Sequence, residues 1–521
     1  MPMSEESQSP AKTATASKSG VGRFLRFSMI YALGDVLTKG AQIILVPYYI
    51  SVLPTTEVGM LAVLTTLFFA TWTTLSFGLG FAVRRFYYTP ASDESDARKG
   101  SDVEQNIKGD RMVTSLWLFR MFFGLPFLGV LIALVAWLHS AMSSEIPWSL
   151  VLMAMISGYL KGGQNIVESW LIIREEPVKY RGFTFLQFLT TTALIITLVT
   201  GFEMGVTGAI VGELASFSLW TLLSAVWLFK RALPRMDAVD WKSVSFYCLP
   251  ILPHTFFMWG VASVDRFLLD YYLPLGEIGV YDIGYKLASF LSVILMAMRS
   301  AWLPNYFRTA EQTGAFERYA SIATVFFYFL LFGALGGILF APELIHLASF
   351  MAIGDYSQAT QIVRIIVTGI VAMGMFMAFN QPLLYNNRTG ILAMVSAAGL
   401  LVNVVTNVWL IPRMGITGAA IATVAAYLTM ASLMFVIVRR LYGCMWENGQ
   451  LWFLFFASAG FAVLGCWLTG EPWTSNTMVR IALLLLFPLM TLFKIQRTPQ
   501  ARLAIASRFQ WTNLKAEKRS G

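Results

Sequence analysis

The sequence predicts an all-α polytopic membrane protein with 14 transmembrane helices, arranged as two pseudo-symmetric six-helix lobes plus a C-terminal helix pair. Three observations support this fold class. Hydrophobic residues make up 57% of the 521 residues, charged residues only 13%, and mean hydropathy is +0.64, too apolar for a water-soluble surface. Apolar runs of about 20 residues, enough for a helix to cross the hydrocarbon, recur along the chain. Two short glycine-containing motifs also recur in its second half.

The spans are predicted from the apolar runs, and their limits are approximate. They are 24–50, 57–83, 112–138, 147–173, 182–202, 205–229, 244–271, 276–305, 319–340, 357–385, 389–411, 415–440, 449–468 and 476–494. They divide the chain into a disordered cytoplasmic tail (1–23), an N-lobe (24–229), a cytoplasmic linker (230–243), a C-lobe (244–440), an extra helix pair (441–495) and a basic cytoplasmic tail (496–521). The first segment lacks the short apolar core and cleavage site of a signal peptide.

The lysines and arginines determine the predicted orientation. If the chain starts inside, most of its 38 basic residues fall on the cytoplasmic face, and only Arg413 falls in an outer loop. Basic loops favour the cytoplasmic side, so both termini are expected there. This asymmetry largely explains the net charge of +9 without a nucleic-acid partner. The basic C-terminal tail suits contact with anionic membrane lipids.

Two motif pairs indicate an internal repeat. "MGVTGA" (204–209) recurs as "MGITGA" (414–419), and "PTTEVG" (54–59) recurs as "PLGEIG" (274–279). With the predicted topology, each pair falls at equivalent outer turns of the two lobes. Because each lobe has six spans, an even number, both lobes begin on the same side of the membrane and the repeat is parallel. Transporters built this way bind their cargo between the two halves.

Charged residues inside the predicted spans are the candidate functional residues. A cation at mid-bilayer is costly, so it usually faces a protein interior or a watery cavity. The basic residues within spans are Lys39, Arg120, Lys161, Arg266, Lys286, Arg299, Arg364 and Arg480. Arg299 and Arg480 lie near span ends, from which they could reach the membrane surface. The remaining cations, spread over both lobes, indicate a cavity for an anion such as a phosphate or pyrophosphate.

Acidic residues accompany several of these cations at helical spacing. Asp35 with Lys39 and Asp282 with Lys286 are separated by four positions, and Lys161 shares a helix face with Glu168. Such pairs have two interpretations: structural contacts between helices, or elements of a transport site. In the second case the substrate-binding residues are Lys39, Arg266, Lys286, Arg364 and Lys161, and the ion-coupling residues are Asp35, Glu168, Asp265 and Asp282.

Motifs for enzymatic chemistry are missing from the sequence. It contains no phosphate-binding GxxxxGK[ST] loop, no CxxC and no HExxH motif. The three cysteines are far apart and lack metal-ligand spacing. We therefore expect neither catalytic residues, nor a metal, nor a cofactor, and the protein is not expected to be an enzyme.

Three segments resemble a known family. They are "LSFGLGFAVRRFYYTP" (75–90), "DRFLLDYYLPLGEIGVYDIGYKLA" (265–288) and "LIPRMGITGAAIATVAAYL" (410–428). They are similar to the polysaccharide transporter family of Wzx-type lipid-linked oligosaccharide flippases. The superfamily also contains multidrug and toxin extrusion transporters and lipid II flippases. The resemblance covers spans one to twelve.

The resemblance implies a function. A member of this family moves an undecaprenyl-pyrophosphate-linked oligosaccharide, such as an exopolysaccharide, O-antigen or capsule repeat unit, from the inner to the outer leaflet of the bacterial plasma membrane. Its two lobes rock around a cationic cavity, which suits Lys39, Arg266, Lys286 and Arg364. Implied partners are the lipid-linked oligosaccharide, membrane lipids, and a polysaccharide polymerase and chain-length regulator.

Two alternatives remain open at the level of sequence, and the sequence argues against a third. A multidrug or toxin antiporter would need acidic residues for a cation or coupled ion, which Asp35, Glu168 and Glu213 could supply. A lipid II flippase would explain fourteen spans, because the extra pair there makes a groove for the lipid tail. A membrane-embedded glycosyltransferase would need a larger outer loop than the longest one here, near 342–356.

The predicted topology can be tested by cysteine labelling. In a variant without the native cysteines, Ser95→Cys and Ser144→Cys should react with a membrane-impermeant maleimide from opposite sides of the membrane. The reason is the distribution of lysine and arginine over the loops. Labelling of both positions from one side would contradict the topology.

Overall fold

The computed structural model describes residues 45–88, 102–142, 145–296, 315–350, 352–386, 388–443, 448–468 and 475–495, and the fold is given for these alone. They form α-helices and short connections, without a β-strand in the described ranges. The predicted all-α class is therefore confirmed. The polar and basic tails, and most of the first span, lie outside the described residues.

The described helices follow the predicted spans in order. They are α1 (45–52), α2 (Thr55–Leu75), α3 (Leu79–Phe86), α4 (Asp102–Met142), α5 (Trp148–Ile173), α6 (Pro177–Ile196), α7 (Gly205–Arg231), α8 (Trp241–Cys248), α9 (Ile251–Ser263), α10 (Asp265–Tyr272), α11 (Leu275–Ser289), α12 (292–296), α13 (Ala315–Leu339), α14 (Ala341–Ser349), α15 (Ala359–Phe379), α16 (Gln381–Tyr385), α17 (Thr389–Met414), α18 (Ile416–Tyr442), α19 (Asn448–Leu468) and α20 (Ser475–Ile495). A π-helical turn, Thr197–Gly201, continues α6.

Among the described residues, 10 helical stretches are long and apolar enough to cross a membrane. The 26-residue α5 is not among them, although it matches a predicted span closely. Within α20 the apolar stretch is the shorter Thr477–Thr491. The structure thus supports a multi-pass membrane protein, while the total of fourteen spans stays a prediction.

The second predicted span is broken in its last third. Helix α2 ends at Leu75, and α3 begins only after Phe77 and Gly78, whose φ angles are +50° and +66°. The fully buried Arg120 of α4 donates from Nε to the Leu75 carbonyl oxygen at 3.2 Å. Its guanidinium also lies 4.4 Å from the ring centre of Tyr159. A cation at this point stabilises the free carbonyls at the end of α2, which accounts for Arg120 inside a span.

The repeated sequence motifs adopt matching turns. Gly205 and Gly415 have φ angles of +54° and +57°, a left-handed conformation that favours glycine. Each turn precedes a 27-residue helix, α7 or α18. Glu57 accepts a hydrogen bond from the Val206 amide at 2.7 Å, and a Cβ at Gly415 would lie 3.6 Å from the carboxylate of Glu277. In each half, the glutamate of one motif therefore lies next to the glycine turn of the other motif. The exact lobe boundaries stay predictions.

The two halves cross closely at these turns, which we call the glycine-turn end of the molecule. A Cβ atom at Gly59 would lie 1.8 Å from the Leu275 carbonyl oxygen, and one at Gly279 would lie 2.2 Å from that of Thr55. Helices α2 and α11 can therefore touch backbone to backbone only because both positions are glycine. Close by, the Ile353 amide donates to the carbonyl oxygen of Ile50 at 2.7 Å. The glycine-turn end thus joins the two halves.

The opposite end of the molecule, which we call the basic end, carries arginines and lysines in the last turns of three helices. They are Arg84 and Arg85 of α3, Lys230 and Arg231 of α7, and Arg439 and Arg440 of α18. Cations are favourable at helix C-termini. Sequence analysis predicts that this end faces the cytoplasm.

The last two described helices pack against the second half. Helices α19 and α20 contact each other, and both contact α13. Arg480 of α20 is fully buried and forms an ion pair with Glu343 of α14. The expectation that Arg480 reaches the membrane surface is therefore wrong, because a carboxylate inside the protein neutralises it. This ion pair fixes α20 to the body of the protein.

The crossing at the glycine-turn end can be tested by a disulfide. A Cβ atom at Gly276 would lie 3.4 Å from Thr55 Oγ1, so Thr55→Cys with Gly276→Cys should cross-link under mild oxidation. Electrophoresis after cleavage with a protease between the two halves would detect the link. Each single variant serves as a control. Absence of the cross-link in the folded protein would contradict the described crossing.

Candidate functional site

A cavity of about 520 Å³ lies between the two halves. Helices α1, α2, α5, α6 and α7 form most of its wall, and α11 with residues 290–293 closes it from the second half. Its apolar lining is rich in aromatic residues, namely Tyr49, Phe68, Phe69, Trp72, Tyr180, Phe188, Phe217 and Phe290. Hydroxyl and amide groups come from Thr65, Thr184, Gln187, Thr191, Thr192, Ser289 and Ser292. A mixed apolar and hydrogen-bonding wall is typical of a small-molecule site.

Four charged side chains line this cavity among the described residues: Lys161, Arg181, Glu213 and Lys286. Arg181 lies one turn inside α6, near the basic end, because α6 begins at Pro177. Glu213 lies about 12 Å along α7 from the glycine-turn end, since a helix rises about 1.5 Å per residue. The lining therefore has three cations and one carboxylate, and the carboxylate lies toward the end at which the halves cross.

Lys161 is held by a polar network in the first half. Its Nζ donates to Glu168 Oε1 at 2.6 Å and to Gln187 Oε1 at 3.3 Å. The ammonium also lies 5.7 Å from the ring centre of Trp72. Gln187 donates in turn to Gln164. Glu168 is not among the lining residues, so it supports the lysine from behind, while the ammonium reaches the cavity wall.

Four of the predicted site residues form one cluster in the second half. Arg266 pairs with Asp265 at 2.8 Å and with Asp282 at 3.4 Å, and Lys286 pairs with Asp282 at 2.7 Å. The Arg266 guanidinium also lies 4.0 Å from the ring centre of Tyr285. Only Lys286 of this cluster lines the cavity, and its side chain is 33% exposed. Arg266, Asp265 and Asp282 are buried behind it.

The structure separates the remaining predicted site residues. Arg364 of α15 donates from Nε to the Ile338 carbonyl oxygen at 3.3 Å, near the end of α13, and does not line the cavity. Lys39 and Asp35 lie outside the described residues. Of the predicted substrate-binding cations, Lys161 and Lys286 thus share the cavity, whereas Arg266 supports it from behind. Their functional roles stay predictions.

Sequence reasoning missed Arg181 as a site residue. It is the last residue of the predicted loop between spans four and five (174–181), where an arginine indicates only orientation. The motif "KYRGF" offers one signal, because an aromatic residue precedes an arginine at the start of a span. In the structure the Arg181 guanidinium lies 4.9 Å from the ring centre of Tyr180, and both side chains line the cavity.

An all-helical bundle with a charged cavity between two halves is typical of membrane carrier proteins. The family comparison places the chain within this class. The model of the family described as "Polysaccharide biosynthesis protein" matches residues 24–310, more than half of the chain. The chain therefore belongs to this family. A comparison with curated proteins found no match.

Solved structures share the fold. The lipid II flippase MurJ in an inward closed conformation has a TM-score of 0.67 at 13% identity, covering 91% of this chain and 99% of that chain. An inward-facing multidrug resistance MATE family transporter of the MOP superfamily has a TM-score of 0.61 at 14% identity, covering 77% and 94%. A MOP superfamily transporter from Pyrococcus furiosus, described as having a binding pocket of reverse polarity, has a TM-score of 0.57 at 15% identity, covering 80% and 95%. At these identities the likeness establishes the fold.

Replacing the two cations of the buried cluster should lower the free energy of unfolding by different amounts. Arg266→Gln leaves the buried Asp265 without its cation, a change that typically costs about 3–5 kcal/mol. Lys286→Gln should cost less, because Asp282 keeps Arg266 as a partner and Lys286 is partly exposed. Thermal unfolding of both purified variants measures the difference. Equal unfolding temperatures would contradict the structural role of Arg266.

Proposed function

We propose that this protein is a flippase that moves an undecaprenyl-pyrophosphate-linked oligosaccharide from the inner to the outer leaflet of a bacterial plasma membrane. The cargo would be an exopolysaccharide, O-antigen or capsule repeat unit. The two halves would open the cavity alternately toward each side. The observation that carries this proposal is the cavity lined by Lys161, Arg181 and Lys286, three cations contributed by both halves.

The chemistry of the cavity suits such a cargo. Phosphate oxygens accept charge-assisted hydrogen bonds from ammonium and guanidinium groups. Hydroxyl and amide groups, such as Thr184, Thr191 and Gln187, can exchange hydrogen bonds with sugars. The aromatic wall offers apolar surface for the carbon faces of sugar rings. Membership of a polysaccharide biosynthesis family supports a glycan cargo.

The flippase would act without catalytic residues or a bound cofactor. Its termini would be cytoplasmic, and a polysaccharide polymerase and a chain-length regulator would receive its cargo. The remaining assignments of the sequence, with Lys39 near the diphosphate and Asp35, Glu168, Asp265 and Asp282 in ion coupling, belong to this proposal. Glu168 and Asp282 support it best, because each contacts a lysine of the cavity.

Lipid II flipping is the second candidate. The MurJ structure covers 91% of this chain, and α19 and α20 provide an additional helix pair. Lipid II shares the polyprenyl diphosphate, so the cations of the cavity suit both cargoes. Rescue of cells depleted of their lipid II flippase would favour this candidate. Rescue of polymer export alone would favour the oligosaccharide flippase.

The cavity cations should be required for export. In a strain that lacks its flippase, we expect Lys161→Gln, Arg181→Gln and Lys286→Gln to reduce polymer export. The reason is that one lost charged hydrogen bond typically costs about 1.5–3 kcal/mol, or roughly 10- to 100-fold in affinity. Lys286→Arg should retain more export than Lys286→Gln, because the positive charge remains.

The matched control is Lys179→Gln. Lys179 lies on the same helix as Arg181, but it is 48% exposed and pairs with Glu176 outside the cavity. Export is measured against the membrane level of each variant. Normal export by the three cavity variants, or equal loss with Lys179→Gln, would contradict the cavity as the cargo site.

A further inference from the structure

Glu213 is an unexpected residue in a cavity for an anion. It is the one carboxylate among the described lining residues, and it comes from α7 in the first half. Within the described part of the chain its oxygens have no hydrogen-bond or ion-pair partner in direct contact. An ionised carboxylate repels a diphosphate in the same cavity. Its presence therefore needs a reason other than direct cargo binding.

Lys286 supplies that reason. It comes from α11 in the second half and lines the same cavity as Glu213 of the first half. Its ammonium pairs with Asp282 of its own half at 2.7 Å and also faces the cavity that Glu213 of the other half lines. Asp282 is largely buried behind the lysine and also meets Arg266. Because an ammonium has three donors, Lys286 can hold Asp282 and still face the cavity.

We propose that Glu213 competes with the diphosphate of the cargo for Lys286. This inference rests on the proposed function. In the empty cavity, Glu213 supplies the negative charge that balances the exposed side of the lysine. When a diphosphate enters, it takes over this role and is repelled by Glu213, so the carboxylate weakens binding. A carrier gains from this arrangement, because a cargo that is held too tightly is not released.

The competition also acts between the two halves. Glu213 and Lys286 belong to different halves, so their attraction draws the halves together across an empty cavity. A bound diphosphate neutralises Lys286 and removes this attraction. Cargo binding thus changes the attraction between the halves. A ligand shifts a conformational equilibrium only if it interacts differently with the two conformations, and this change in attraction supplies such a difference. Glu213 is a residue that tunes affinity and release.

The experiment measures binding to the purified full-length protein. Inorganic pyrophosphate and farnesyl diphosphate are titrated by calorimetry into the wild type, Glu213→Gln, Glu213→Asp and Lys286→Gln. We expect Glu213→Gln to bind both probes about tenfold more tightly, since a unit charge several ångströms away is worth roughly that at the effective dielectric of a protein site. Glu213→Asp keeps the charge and should resemble the wild type. Lys286→Gln is also compared with the double variant Lys286→Gln/Glu213→Gln, in which the gain should be smaller, because competition for Lys286 is then absent and only the direct repulsion is removed.

A second readout and a control separate this role from a structural one. Glu213→Gln should export polymer more slowly although it binds more tightly, because release becomes slower. The control Glu203→Gln removes an exposed carboxylate before α7 and should change neither value. Unchanged or weaker binding by a folded Glu213→Gln variant would overturn the inference alone. Absence of binding of both probes to the wild type would overturn the proposed cargo site, and the inference with it.

Discussion

The backbone contact between α2 and α11 at Gly59 and Gly279 is the constraint on which the arrangement of the two halves depends. Any side chain at either glycine would overlap a carbonyl oxygen of the other helix. Beyond the crossing both helices continue along the cavity, α2 through Trp72 and α11 through Lys286. The distance between the halves at the glycine-turn end therefore fixes how Lys286 faces the first half. The same motifs also contribute Glu57 to the turn before α7, so the crossing and the helix start are built from one short sequence.

The free-energy cost of placing a charge inside a membrane explains how the buried cations are arranged. Arg480 and Arg266 are buried and neutralised by carboxylates, and Arg120 is buried against a helix end. These cations hold helices together. Lys161 and Lys286 also have carboxylate partners, but they reach the cavity wall, where an anion can approach them. The exposure of each cation, rather than its depth in the membrane, separates a structural role from a candidate functional one.

Much of the helical framework could be predicted from sequence, because apolar length and the repeated motifs are local signals. Helix α5 and the turns at Gly205 and Gly415 agree closely with expectation. The break in the second span could not be predicted, since its stabilising partner, Arg120, lies 45 positions away. The spacing of Asp282 and Lys286 correctly predicted a common helix face. It could not reveal which of the two side chains lines a cavity, because that depends on the packing of other helices.

In the candidate site, too, some residues could be predicted from local sequence signals and others depend on the packing of distant helices. Lys161 and Lys286 were predicted because a charge within an apolar run is conspicuous. Arg181 is not conspicuous because it lies near a span end, where arginine is common. Arg364 is conspicuous, but its contact with the carbonyl of another helix, away from the cavity, leaves no signal in the sequence. Sequence pattern identifies which residues are costly to bury. Only the tertiary structure shows whether such a cation is stabilised by a backbone carbonyl, by a carboxylate or by access to a cavity.

The most direct test of the central claim is a flipping measurement in proteoliposomes. The purified protein is reconstituted with a fluorescent undecaprenyl-diphosphate-linked oligosaccharide, and the label accessible from outside is followed over time. The account predicts movement between leaflets that stops when Thr55→Cys and Gly276→Cys are cross-linked and resumes after reduction. Movement at the rate of protein-free liposomes, or movement that continues unchanged across the cross-link, would contradict it.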